Sequence, residues 1–111
     1  MASIFTKIID GEIPAKLVHD DEHCLAFHDV SPKAPVHVLV IPRMHVESMD
    51  ALTDSDIGAR VLAMAAEVAR QEGIAASGYR TVFNTNGDGG QTVFHLHAHV
   101  LGGRSLAWPP G

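Results

Sequence analysis

The segment from His95 to Leu101 reads HLHAHVL, and this alternation of three histidines with apolar residues constrains the fold more than any other feature. Successive side chains of an extended strand point to opposite faces of a sheet. The pattern therefore predicts a strand that turns His95, His97 and His99 to one face and packs its apolar residues into a core. A row of titratable side chains facing away from the core is typical of a substrate site.

Length and composition limit the class of protein. A chain of 111 residues with a net charge of −5 suffices for one domain, residues 1–111, around one hydrophobic core. Cys24 is the only cysteine, which excludes an internal disulfide and suits a reducing compartment. Residues 1–11 contain no continuous apolar run of the kind found in a signal peptide. No stretch approaches the ~20 consecutive apolar residues that a helix needs to span a bilayer. We expect a soluble, cytoplasmic protein that binds neither membranes nor nucleic acid, since basic clusters are lacking.

The capping and turn residues predict two helices of different length. Ser3 can cap a short helix that ends at Gly11. A capping box at Thr53 and Asp56 begins a long helix that ends before Gly73. Strands are predicted at residues 15–19, 23–27, 36–41, 79–86 and 92–101. Because the strands mostly follow one another directly, we predict an α+β fold: an antiparallel sheet of about five strands with one short and one long helix.

Three interpretations of the histidine triplet remain open from the residues alone. The first is chance combined with a structural role, although a row of buried imidazoles carries a desolvation cost. The second is a metal site, but a strand rises ~3.3 Å per residue, so His95 and His99 start ~13 Å apart and cannot share one ion. A histidine pair with His37 or His45 could still bind a metal. The third is chemistry by imidazole, because one ring can be a nucleophile while its neighbour is an acid. We favour the third and predict neither a metal nor a cofactor.

A glycine-rich turn lies directly before the triplet. Residues 86–91 read NGDGGQ and are followed by Thr92. Backbone N–H groups exposed by glycines, together with a hydroxyl and an amide, form a cradle for an anion. A phosphate held beside three imidazoles indicates phosphoryl or nucleotidyl transfer.

The HLHAHVL segment resembles the signature of the histidine-triad family of nucleotide hydrolases and transferases. Further similar segments are FHDVSP at residues 27–32, VIP at 40–42, DGGQ at 88–91 and WPPG at 108–111. The resemblance extends over nearly the whole chain, and the WPPG ending is typical of the Hint branch. The resemblance implies a homodimer, in which the tail reaches toward the other subunit's active site. The apolar long helix and Trp108 also favour a homodimer.

The resemblance also implies a role for each histidine. His97 would attack the α-phosphorus of a purine nucleoside 5′-phosphoramidate or acyl-nucleotide, and water would hydrolyse the nucleotidyl-histidine intermediate. His95 and His99 would flank the phosphate as hydrogen-bond donors. His37 would support the triad by hydrogen bonding.

The substrate contacts that the resemblance implies follow the same motifs. Asp29 would bind the ribose hydroxyls. The phosphate and leaving group would lie near Asn84, Gly90, Gln91, Thr92 and Val93, beside His97 and His99. An apolar base pocket would come from Ile4, Phe5, Ile8, Phe27, Val30 and Leu39, each of which would serve equally well as core. A dinucleoside polyphosphate hydrolase and a non-catalytic nucleotide-binding module remain alternative functions.

Overall fold

The computed structural model describes residues 3–111, which form a five-stranded antiparallel sheet and two α-helices. The strands are β1 (Leu17–Asp20), β2 (Cys24–His28), β3 (Val36–Pro42), β4 (Tyr79–Val82) and β5 (Ala98–Gly102), in the spatial order β1-β2-β3-β5-β4. The helices are α1 (Ile4–Ile9) and α2 (Ser55–Gln71), and Met49–Ala51 forms a short 3-10 turn. The predicted α+β fold, with an antiparallel sheet, one short helix and one long helix, is confirmed.

The helices begin and end at side chains that satisfy their free backbone groups. The Ser3 hydroxyl accepts a hydrogen bond from the backbone N–H of Thr6 at 3.0 Å, as predicted for the cap of α1. The capping box predicted at Thr53 is wrong, because Asp54 caps α2 and its carboxylate accepts from the N–H of Asp56. A carboxylate complements the partial positive charge of a helix N-terminus better than a hydroxyl does. In the described part of the chain, no helix is both long and apolar enough to cross a membrane.

The sheet has one apolar core on each face. Alternate residues of β3 pack toward α2, where Val38 and Val40 contact a cluster that includes Val61 and Val68. The intervening residues Leu39 and Ile41 pack on the opposite face with Phe5 of α1. A strand that is apolar on both faces belongs in the interior of a sheet, and β3 is the middle strand of the five.

The last two strands are shorter than predicted, and this changes the surroundings of the histidine triplet. β4 ends at Val82 instead of residue 86, and β5 begins at Ala98 instead of residue 92. The last pair between β3 and β5 is Val40 with Ala98. Before that pair, the N–H of Leu96 bonds to the carbonyl of Val46 at 2.6 Å, outside the sheet. Of the three histidines of the triplet, only His99 therefore lies in a strand.

Candidate active site

Six aromatic rings on the α1 face of the sheet lie side by side in space, each in contact with the next. We call these six rings the ring row. Ring centroids are 5.1 Å apart for His37 and His99, 5.0 Å for His99 and His97, and 5.1 Å for His97 and Phe5. The row continues from Phe5 to His95 at 6.1 Å and from His95 to His45 at 5.0 Å. The structure thus brings the predicted triad and His37 together. It also adds His45, which sequence reasoning did not assign to the site.

His97 lies in the middle of the ring row and has its ring nitrogens in different roles. Its Nδ1 lies 2.7 Å from the backbone carbonyl oxygen of His95. A carbonyl only accepts hydrogen bonds, so Nδ1 carries the proton. The other nitrogen, Nε2, therefore has a free lone pair, and no described residue donates a hydrogen bond to it. His97 is only 7% exposed, so packing holds this ring in place. The His95 carbonyl thereby fixes the tautomer of His97.

His37 and His99 form an ordered hydrogen-bonded pair. The backbone N–H of Lys33 donates to His37 Nδ1 at 3.0 Å, so the proton of a neutral His37 is on Nε2. That Nε2 donates to His99 Nδ1 at 2.9 Å and lies 3.5 Å from Asp29 Oδ2. As a neutral ring, His99 consequently carries its own proton on Nε2, which makes this atom a hydrogen-bond donor.

Burial keeps this pair of imidazoles neutral at pH 7. Burial, together with the neighbouring rings of His97 and His37, lowers the pKa of His99 from 6.5 to about 4. Burial also lowers the pKa of His37, an effect that exceeds the opposing influence of Asp29. The donor and acceptor assignments require both rings to be neutral, because a neutral imidazole has one N–H group that donates and one nitrogen that accepts.

His95 has both ring nitrogens committed to protein groups. The ring is fully buried, and its Nε2 donates to the carbonyl oxygen of Pro42 at 2.9 Å. Its Nδ1 accepts a hydrogen bond from the Ser3 hydroxyl at 3.1 Å. Burial lowers the pKa of His95, so the ring is neutral at pH 7. His95 therefore ties α1 to the end of β3, which differs from the expected role of a phosphate donor.

The glycine-rich loop is held by side chains that were expected to bind substrate. The amide of Gln91 is buried, accepts from the N–H of Asn86 at 2.9 Å and donates to the carbonyl of Glu47 at 2.8 Å. The Asn84 side chain donates to the carbonyl of Gly89 at 2.7 Å. A Cβ on Gly89 would lie 2.3 Å from a backbone oxygen, so only glycine fits this tight turn. These amides shape the loop, and the N–H groups of Gly90 and Gln91 donate to the carbonyls of Gly87 and Asn86, both at 3.0 Å, so these two N–H groups are not free to form the predicted anion cradle.

The remaining predicted substrate residues fall into two clefts. Asp29 and the fully exposed Val30 line a cleft of about 700 Å³ together with His37, and we call it the Asp29 cleft. Thr92 and Val93 line a separate cleft of about 390 Å³. The predicted base-pocket residues Phe5, Phe27 and Leu39 lie in the hydrophobic core of the α1 face instead.

Three groups of the site have the arrangement of a potential metal site. Asp29, His37 and His99 each offer one ligand atom, and these atoms lie within 4.8 Å of one another. A cation there would have to replace the proton on His37 Nε2. That proton cannot move to Nδ1 without losing the hydrogen bond from the N–H of Lys33. The hydrogen bonds thus favour a proton over a cation between these groups.

Comparison with known proteins identifies the family. The HIT domain matches residues 10–106. An uncharacterized HIT-like protein of Synechococcus elongatus is 54% identical to this chain, and the aligned region covers 98% of this chain and 96% of that protein. A HIT family hydrolase from Legionella pneumophila has a similar crystal structure, with a TM-score of 0.95, 46% identity and coverage of 99% of this chain and 100% of its own. A histidine triad nucleotide-binding protein from Candida albicans gives a TM-score of 0.85 at 27% identity, covering 97% of this chain and 83% of its own. The chain therefore belongs to the HIT family.

Proposed function

We propose that this protein hydrolyses purine nucleoside 5′-phosphoramidates or acyl-nucleotides through a covalent intermediate on His97. The observation that carries this proposal is the tautomer of His97, whose Nδ1 proton is held by the His95 carbonyl and whose Nε2 lone pair is free. A non-catalytic binding module has no need of a nucleophile prepared in this way. Similarity to a HIT family hydrolase and to a nucleotide-binding HIT protein supports the choice of hydrolysis and of a nucleotide substrate.

The proposed reaction has two displacements at the α-phosphorus. His97 Nε2 attacks the phosphorus, the bond from phosphorus to the leaving nitrogen or oxygen breaks, and a nucleotidyl-histidine forms. Water then attacks the same phosphorus, breaks its bond to Nε2 and releases the nucleoside monophosphate. The carbonyl of His95 stabilises the positive charge that His97 acquires in the intermediate, because it accepts the Nδ1 proton at 2.7 Å.

We assign the donor role beside the phosphate to His99. Its Nε2 carries a proton because its Nδ1 accepts from His37. The burial that lowers the pKa of His99 keeps the ring neutral, so its Nε2 donates a hydrogen bond to a phosphate oxygen or to the leaving atom, and the departing amine takes its proton from solvent. His37 is then a positioning residue that fixes the ring of His99, and His95 is a positioning residue that fixes the N-terminus of α1. A well-placed hydrogen-bond donor to the transition state contributes about 10²–10³ in rate.

The Asp29 cleft is the proposed place of the nucleoside. Its volume of about 700 Å³ lies in the usual range of small-molecule sites. One oxygen of Asp29 accepts from the N–H of Ser31 at 2.7 Å, which fixes the carboxylate. Its other oxygen lies toward His37 and is a suitable acceptor for a ribose hydroxyl. Val30, fully exposed at this cleft, would be covered by the base.

We also propose that the protein is a Hint-branch homodimer. The WPPG ending at residues 108–111 supports the branch. β4 is an edge strand, and Tyr79 on this strand, Leu62 on α2 and Trp108 are exposed apolar side chains that a second copy would cover. Sedimentation velocity tests this. A dimer that Leu62→Glu weakens supports the proposal, whereas a monomer at every concentration contradicts it.

The catalytic proposal is tested by AMP release from adenosine 5′-phosphoramidate after EDTA treatment of the protein. We expect turnover without added metal, and a loss of at least about 10³-fold in His97→Gln with AMP binding retained. His23→Gln, which replaces a histidine outside the ring row, is the matched control. Unchanged turnover in His97→Gln would refute the mechanism. AMP binding without any release would favour a binding module, and faster cleavage of a dinucleoside polyphosphate would favour that hydrolase class.

A further inference from the structure

The loop that joins β2 to β3 spans residues 29–35, and Lys33 in this loop has every one of its polar groups in a hydrogen bond. Its backbone N–H donates to His37 Nδ1 at 3.0 Å. Its carbonyl oxygen accepts from Nη2 of Arg104 at 3.0 Å. Its Nζ donates to the carbonyl and to the hydroxyl of Ser31, both at 2.9 Å. Only the first of these bonds enters the proposed reaction.

Arg104 connects this loop to the strand that carries His99. It lies two residues after the end of β5, and its Nη1 donates to the carbonyl of Ser105 at 3.0 Å. Directly before it, Gly103 packs so closely on the loop that a Cβ would lie 2.9 Å from the Cβ of Pro35. The segment after β5 and the loop before β3 are therefore fixed to each other.

The contacts form a closed path around the histidine pair. The path runs from His99 along β5 to Arg104, then through Lys33 to His37, whose Nε2 donates to His99 Nδ1 at 2.9 Å. We infer that Arg104 and Lys33 are positioning residues that hold this pair in the tautomers in which His99 Nε2 carries its proton. This inference rests on the proposed function, because that proton is the donor beside the phosphate.

Two neutral imidazoles that share a hydrogen bond have two possible arrangements. In the second one, His99 Nδ1 donates to His37 Nε2, and His37 carries its own proton on Nδ1. His99 Nε2 then has a lone pair, which repels a phosphate oxygen. This arrangement would place the Nδ1 proton of His37 against the N–H of Lys33, so that two donors face each other. Asp29 Oδ2, 3.5 Å from His37 Nε2, also favours a proton on Nε2.

The Lys33 N–H can select the tautomer only while the loop keeps its place. The loop has no regular secondary structure, so Arg104 and the close packing before it hold the carbonyl side of Lys33. The side chain of Lys33 holds Ser31, whose N–H donates to Asp29 Oδ1 at 2.7 Å. The same contacts thus orient the proposed ribose acceptor and the proposed phosphate donor together, as a precise site requires.

The test follows the ring nitrogens of His37 and His99 by 15N NMR, because protonated and unprotonated imidazole nitrogens resonate at well-separated positions. We expect protons on both Nε2 atoms in the wild type. Lys33→Pro removes the backbone N–H and should populate the Nδ1 tautomers, whereas Lys33→Ala keeps the N–H and should keep the wild-type tautomers. Arg104→Gln should shift the tautomers in part. Arg70→Gln, which removes the same charge from α2, should not shift them. Lys33 and Arg104 are exposed, so these changes leave the core intact.

Turnover of adenosine 5′-phosphoramidate is measured on the same variants. Arg104→Gln should lower kcat about two- to tenfold, as for the loss of one hydrogen bond. Lys33→Pro should lower kcat by up to about 10²-fold, as for the loss of a donor to the transition state. Arg70→Gln should keep the wild-type kcat.

The spectra separate failure of this inference from failure of the proposed function, because they do not depend on turnover. Wild-type tautomers in Lys33→Pro would overturn the role of Lys33, and wild-type tautomers in Arg104→Gln would overturn that of Arg104, even if kcat falls. If the wild type has the expected tautomers and hydrolyses no phosphoramidate, the proposed function is wrong, and the variants still decide whether these two residues hold the histidine pair.

Discussion

Acidification is expected to destabilise the folded protein because its buried histidines resist protonation. Burial, followed by the neighbouring rings of His97 and His37, lowers the pKa of His99 from 6.5 to about 4. Burial lowers the pKa of His95 and of His37 in the same direction. In the unfolded chain these imidazoles are solvated and titrate near their usual value.

The sign and size of the effect follow from proton linkage. Between pH 6.5 and about 4, unfolded His99 is protonated and native His99 is neutral, so the unfolded state binds more protons. The free energy of unfolding therefore rises with pH across this window. Each pKa unit corresponds to about 1.4 kcal/mol, so the shift of His99 from 6.5 to about 4 contributes at most about 3.5 kcal/mol. This contribution is complete above pH 6.5 and is lost as the pH falls toward 4, and His95 and His37 add to it.

Urea unfolding followed by circular dichroism from about pH 7 down to about pH 4, at fixed protein concentration and ionic strength, measures this contribution. Tryptophan fluorescence is a poor probe here, since Trp108 is 81% exposed in the native state. We expect a steep fall in the free energy of unfolding for the wild type and a shallower fall for His99→Asn. A pH-independent free energy, or an equal slope in the variant, would refute the assignment of a neutral, partly buried His99.

Three further predictions concern the loop, the helix cap and the cysteine. Gly89→Ala places a Cβ 2.3 Å from a backbone oxygen and should cost about 1–3 kcal/mol in thermal unfolding, whereas Gly87→Ala, with open space around its Cβ, should have little effect. Ser3→Ala removes the cap of α1 and the hydrogen bond to His95, and should cost about 0.5–2 kcal/mol; an unchanged melting temperature would contradict both contacts. Cys24 is 1% exposed and burial raises its pKa to about 11, so a thiol reagent should modify it only after unfolding, and rapid labelling of the native protein would contradict its burial.

Local sequence signals predicted the helices and the central strand because their causes are local. Ser3 marks the start of α1 because its hydroxyl caps a backbone N–H group. Gly73 marks the end of α2 because its backbone adopts a φ of +76°, which glycine tolerates. The HLHAHVL alternation correctly predicted that Leu96, Ala98 and Val100 are buried. It did not predict which residues pair in the sheet, because alternation reports which side chains are buried and says nothing about the partner of each backbone N–H.

The arrangement of the site depends on contacts between residues distant in the chain. Ser3 bonds to His95 across 92 positions, and His37 bonds to His99 across 62. The tautomers follow from these bonds, so the sequence alone could not separate the role of His95 from that of His99. Phe5 lies between His95 and His97 because α1 packs on the sheet, an arrangement that the alternation within one segment cannot reveal.

The most direct test of the account is to detect the covalent intermediate on His97. The protein is mixed with adenosine 5′-phosphoramidate, quenched in alkaline denaturant because a phosphorus–nitrogen bond to imidazole is labile in acid, and examined by intact mass and peptide mapping. The proposed mechanism predicts an added adenylate on the peptide that contains His97, formed at the rate of turnover and absent in His97→Gln. Turnover with no adduct under these conditions, or an adduct on His95 or His99, would contradict it.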